Sequence, residues 1–145
     1  MEERIAVQAA VGVQLHFGTD HDHIADYRPL VEALGLTGTL HSIVASEISP
    51  VLRGHFNAYP LTPTDHLLNG GAYPWWLRPT LTTEGLFDNV YDHLGDFVLQ
   101  VNHPFNFGIG DAAKWSPGTI GTPSYWDDRF QSMEVLNSGH SGHYL

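Results

Sequence analysis

Apolar residues recur along this chain with two alternating periods, and the switches between them lay out a succession of helices and strands. Residues 1–11 put Ile5, Ala6, Ala9 and Ala10 on one helical stripe, with Glu2 and Glu3 in the first turn and Gly12 as the stop. Val13, Leu15 and Phe17 then alternate with Gln14 and His16, the pattern of a strand. A second helix is expected with Asp26 as its cap, Pro29 in its first turn, Leu30, Val31, Ala33 and Leu34 on its inner side, and Gly35 at its end. Leu40 to Ser46 reads as one strand that delivers Glu47 at its end. His55-Phe56-Asn57-Ala58-Tyr59 reads as a short strand returning antiparallel beside it. Residues 62–80 hold Pro, Gly and the Trp75-Trp76 pair and read as a long loop, a lid or rim. Thr83 is expected to cap a third helix through Leu86, Phe87, Val90, Tyr91 and Leu94, closed by Gly95. Phe97 to Val101 is nearly all apolar, as in a strand covered on both faces of a parallel sheet. A second Gly/Pro/Trp loop runs to about Asp128, and Met133 to Asn137 forms a last strand before a Gly/Ser/His tail.

This alternation predicts a single α/β domain over residues 1–145 with a mainly parallel sheet. In such folds ligands bind at the carboxyl ends of strands, which is where the polar clusters of this chain recur. Composition narrows the ligand. The net charge is −10 and the 6 Lys and Arg residues nowhere cluster, which argues against nucleic acid or an anionic membrane as partner. An acidic balance suits the concentration of a cation, although an ordinary solvated surface produces it as well. With 0 cysteines, disulfides, thiolate metal sites and a cysteine nucleophile are excluded, so any metal must sit on His, Asp and Glu. No apolar stretch reaches membrane-spanning length, and Met1-Glu2-Glu3-Arg4 does not resemble a signal peptide, which makes the cytoplasm the expected location.

Candidate chemistry gathers at three places. Thr19-Asp20-His21-Asp22-His23-Ile24-Ala25-Asp26 follows the first strand directly. His21 is the strongest metal-ligand candidate there, with Asp20, Asp22 and His23 as supports or further ligands; the plain alternative is a loop histidine in an Asx-type turn. Glu47 follows a buried strand, where a carboxylate needs a partner, and His55 after Gly54 can supply one through a shared cation. His103, in Val101-Asn102-His103-Pro104, reads as a ligand or a general acid/base at a strand end, or else as a satisfied core histidine. Arg53, Asn57, Asn102 and Asn137 are placed as substrate contacts, and Arg78 is a further cation that an anionic substrate can meet. His16 reads as structural. His66 and His93 read as loop and helix-surface residues, and His140 with His143 as part of a mobile tail. Trp75, Trp76, Trp115, Tyr125 and Trp126 read as loop anchors.

Taken in order, Thr19-Asp20-His21-Asp22, Glu47 with Gly54-His55-Phe56-Asn57-Ala58, and Val101-Asn102-His103-Pro104 resemble the middle of a PHP domain (polymerase and histidinol phosphatase type), in its CehA/McbA-like branch. The resemblance runs from about residue 12 to about residue 137. It implies a distorted (β/α)7 barrel, here a partial one, with two or three divalent cations (Zn, Mn or Fe) and hydrolysis of a small-molecule phosphoester or other ester by a metal-activated water. By position, His21, Glu47, His55 and His103 match metal-ligand places, with Glu47 as the bridge, and Glu47 and His103 as catalytic groups. The family's opening H-x-H and closing D-x-H are not present, so the chain is expected to be an incomplete copy of such a domain. The rival expectations are a non-catalytic metal- or ligand-binding α/β domain and a purely structural module.

Overall fold

The computed structural model describes residues 1–51, 53–78, 82–104 and 127–135. Helix α1 (Glu2–Ala10) turns Ile5 inward, and strand β1 (Leu15–Gly18) follows after Gly12. Helix α2 (Arg28–Ala33) begins one residue later than its polar signal suggests: Tyr27 holds the cap position, while Asp26 accepts the Arg28 N–H at 2.9 Å. Strand β2 (His41–Val44) then pairs parallel with β1, Leu15 opposite His41 and Gly18 opposite Val44. Ile5, Tyr27, Val31 and Leu40 close a small core where the two helices cover this ladder.

The apolar members of the β1 alternation are not its buried ones. Leu15 is 50% exposed, whereas His16 and Gly18 face inward. Tyr27 is the cause: its ring stands edge-on to His16, and a Cβ on Gly18 would come within 2.9 Å of it. His16 is satisfied there by Ser42, with Nδ1 and Oγ 3.0 Å apart, which is the structural role expected of it.

The expected single strand from Leu40 to Ser46 is two strands. After β2 the chain passes through the buried Ala45 and enters β3 (Ser46–Ile48), which belongs to a different sheet. That sheet runs β3, β4 (Phe56–Tyr59), β5 (Val98–Val101), β6 (Ser132–Met133). Within this sheet β4 is antiparallel to both β3 and β5 while β5 and β6 pair in parallel, so among the described residues parallel and antiparallel pairs both occur. Among the described residues the strands make two sheets and no closed barrel.

One face of the larger sheet, with Ile48, Phe56, Ala58, Leu99 and Val101, is buried under helix α3 (Thr83–Leu94), which contributes Leu86, Phe87 and Val90. Thr82, not Thr83, caps α3 by accepting the Gly85 N–H at 3.0 Å. Arg129 ties the approach to β6 onto the same helix through Asp88 at 2.6 Å and the Glu84 carbonyl at 3.0 Å. Residues 62–78 of the expected lid or rim pack over the core. Tyr73 is buried in the main core, Trp75 packs against it, and Ala72 joins Ile24 and Val44. Gly70 lies so close to the Ile24 carbonyl that a Cβ would stand 2.2 Å from its oxygen. Among the described residues no helix is long and apolar enough to cross a membrane.

Candidate metal centre

The two sheets meet at one isolated parallel bridge between His21 and Glu47. Glu47 donates its N–H to the Asp20 carbonyl at 3.0 Å, and Asp22 donates to the Glu47 carbonyl at 2.7 Å. This continues the line of β1 onto β3 and sets the loop residues in strand-like alternation. His21 therefore faces Glu47, while Asp20 turns to the other side, where Tyr27 donates to it at 2.5 Å and Arg4 at 3.0 Å. Asp22 takes a positive φ of 51°, a conformation Asp tolerates, and the chain leaves the sheet line before His23. Asp20 and His23 thus line a separate hollow of about 310 Å³ with Arg4 and Tyr27, and are not part of the cluster around Glu47.

Glu47 sits in the middle of β3, not at a strand end. Its neighbours Ser46 and Ile48 point into the core, so its side chain stands on the other face, directly across from Asn57 of β4. Gly54, with φ 84°, makes the turn that brings His55 to the start of β4. His103 follows β5, held there because the Asn102 N–H donates to the His55 carbonyl at 3.0 Å.

Four side chains converge. His21 Nε2 lies 3.4 Å from Glu47 Oε2, His55 Nδ1 lies 3.3 Å from Oε1, and His103 Nε2 lies 3.8 Å from Oε1. His55 Nδ1 and His103 Nε2 are 3.2 Å apart. Among the described residues, ligand atoms of His21, Glu47 and His55 all fall within 4.8 Å of one another. The Glu47 side chain is only 14% exposed, against 65% for His21. They open onto a cavity of about 440 Å³ that Thr19, Asn57, Asn102 and Glu134 also line.

The surroundings orient these groups. His21 Nδ1 is 2.6 Å from Ser49 Oγ, and Ser49 in turn donates to the Glu47 carbonyl at 3.3 Å and, through its N–H, to Asp22 Oδ1 at 3.0 Å. The Ser49 contact on Nδ1 fixes the orientation of the ring and sets Nε2 toward Glu47. Asn102 is buried and lines the cavity, where it orients its neighbours. Its amide donates to Glu47 Oε1 at 3.0 Å and to Asn57 Oδ1 at 2.9 Å, and its own oxygen accepts from Gln100 at 3.1 Å. Burial pushes the Glu47 carboxyl up, yet donors from His55 and Asn102 and the charge of nearby His21 outweigh it and leave the group below the ordinary glutamate range.

Of the other expected site residues, Asn57 lines the cavity and Arg53 does not. Asn137, His140, His143, Trp115, Tyr125 and Trp126 lie outside the described residues. His41 and His66 are exposed, and His93 is half-buried with Nε2 2.9 Å from the Gly71 carbonyl. Glu134, Ser49 and Gln100 were not expected at the site. Glu134 carried no readable signal, because it falls inside the expected Met133–Asn137 strand; in the structure it directly follows β6 (Ser132–Met133). In comparisons with known proteins, no protein-family model, no curated protein and no solved structure matches this chain.

Proposed function

We propose that this chain is a PHP-type metal-dependent hydrolase, or a portion of one, acting on a small-molecule phosphoester or other ester. The observation that carries this reading is the division of the Glu47 carboxylate: Oε2 faces His21, while Oε1 faces His55 and His103. Glu47 would thereby serve imidazoles on both sides of it, His21 on one and His55 with His103 on the other, in holding divalent cations.

The residues fit such ions. Four-coordinate Zn with arms of about 2.0–2.1 Å places its ligand atoms about 3.3–3.4 Å apart. The His21–Glu47 and His55–Glu47 separations, 3.4 and 3.3 Å, agree with that edge length. Mn and Fe accept the same imidazole and carboxylate donors.

A divalent cation bound here supplies Lewis acidity and an acidified water for ester hydrolysis. The protein's share is to hold and orient. Glu47 is kept ionised and fixed by Asn102, and Ser49 fixes the ring of His21. His103 Nε2 either completes the ligand set or passes a proton to the leaving oxygen. A His103→Gln variant separates these roles, since a lost ligand weakens metal binding while a lost acid slows turnover of the loaded protein. Among the described residues no Lys or Arg lines the cavity, so an anionic substrate would rely on the cation for charge balance. The partial (β/α)7 barrel belongs to the same proposal, with the β1–β2 ladder and the β3–β6 sheet, joined by the His21–Glu47 bridge, as its wall.

The test is hydrolysis of p-nitrophenyl phosphate and bis-p-nitrophenyl phosphate by the chain loaded with Zn or Mn, beside metal analysis of the purified protein. Turnover that disappears on chelation and in Glu47→Gln is expected. Retained metal without turnover would favour the binding-domain reading, for which the compact His21, Glu47 and His55 set suffices. No retained metal and no response to chelator would sink both.

A further inference from the structure

Resting on the metal-centre reading above, we infer that Glu134 is the positioning residue for His103, its carboxylate holding the His103 backbone in the turn that aims the ring at His55 and Glu47. His103 has φ 28°, in the left-handed region, and it precedes the buried Pro104. Both facts work against this conformation. A side chain at positive φ crowds the backbone, and a following proline drives its predecessor toward extended geometry. A residue so strained persists only where its surroundings over-determine it.

Glu134 supplies the constraint. The His103 N–H donates to Glu134 Oε2 at 2.5 Å, and it is the reach of this acceptor oxygen that holds the turn. The carboxylate is itself placed by the sheet. β6 pairs parallel with β5, Val101 opposite Met133, and the Glu134 N–H continues the ladder to the Val101 carbonyl at 2.8 Å. Glu134 and His103 thus leave adjacent parallel strands side by side and line the same cavity. An extended His103 would carry its ring away from His55, whose Nδ1 now lies 3.2 Å from His103 Nε2.

The alternative is that Glu134 serves the cation directly, through its charge. Three variants distinguish the two roles. Glu134→Gln keeps an acceptor oxygen at the same reach without the charge, Glu134→Asp keeps the charge but shortens the reach, and Glu134→Ala removes both. Zn affinity is measured by titration calorimetry, and the imidazole nitrogens of the metal-free chain are observed by NMR with labelled histidine. Positioning predicts about 10–100-fold weaker Zn binding in Glu134→Ala. It also predicts displaced His103 ring resonances in the same metal-free variant, with Glu134→Gln close to wild type in both measurements and Glu134→Asp impaired. If Glu134→Ala fails to fold, the order of the other two still decides. Glu134→Asp binding better than Glu134→Gln, or unmoved His103 resonances in Glu134→Ala, would overturn the inference. Absence of Zn binding by the wild-type chain would instead refute the metal-centre reading, and the metal-free NMR would still judge Glu134 by itself.

Discussion

Replacing Glu47 by Gln tests the centre most directly, because the change keeps the shape of the side chain and removes one charge. Oε1 accepts from Asn102 at 3.0 Å, so the new amide should turn its oxygen to that donor and its nitrogen to His21. The β3–β4 register does not depend on the charge, and the metal-free variant should lose only about 1–2 kcal/mol. With metal the difference grows. A cation at 100 times its Kd stabilises the folded chain by about 2.7 kcal/mol. For a chain of this length each kcal/mol moves the melting temperature by about 3–4 °C, so wild type should gain roughly 8–11 °C. Glu47→Gln should show little of that gain. Thermal melts with Zn, and again with chelator, read both numbers. The acid limb gives a second check. The folded Glu47 carboxyl lies below its unfolded value, so it contributes stability above the unfolded pKa that is lost as pH falls through the folded one. That contribution should vanish from the metal-free variant. A full metal-induced shift in Glu47→Gln, or none in wild type, would refute the reasoning.

Phe87 is 1% exposed and stands edge-on to Phe56 with centroids 5.1 Å apart, so Phe87→Ala should cost about 3–5 kcal/mol in urea unfolding. A loss below 1 kcal/mol would show that α3 is not seated as described. Burial lowers the pKa of His16, so the unfolded chain takes up the proton first; stability is fully present above about pH 6.5 and declines as pH falls below it. His16→Gln should flatten that decline between pH 7.5 and 5.5, and an unchanged slope would count against a buried neutral His16. Asp20→Asn should weaken the fold through the Tyr27 and Arg4 contacts yet leave Zn affinity unchanged, because the Asp20 side chain faces away from the cluster. A large loss of affinity, measured by calorimetry, would place Asp20 among the ligands after all.

Much of the fold was legible because it is local. A helical stripe such as Ile5, Ala6, Ala9 and Ala10, or a run such as Phe97 to Val101, states its period within a few residues, and α1 and β5 form where that period places them. Helix starts were legible to within one residue, since Asp26 and Tyr27, or Thr82 and Thr83, compete for one cap position within a residue of each other. The same locality explains the candidate histidines: His21, His55 and His103 each follow or open a strand, and strand ends converge.

What the sequence by itself determined, then, is roughly where the helices and several strands lie, and that His21, His55 and His103 stand beside strands. Tertiary structure alone decided how those pieces pair. Leu40 to Ser46 holds no Gly, Pro, Asn or Asp to mark a break, and it is the pairing with β4 that gives β3 its own sheet and sets Glu47 mid-strand opposite Asn57. Parity along the bridge at His21 sent Asp20 to Tyr27 instead of the centre, and the parallel seat of β6 beside β5 brought Glu134 to His103 across 31 residues. Such contacts depend on which backbone N–H meets which carbonyl far along the chain, and no window of hydrophobic periodicity contains that information.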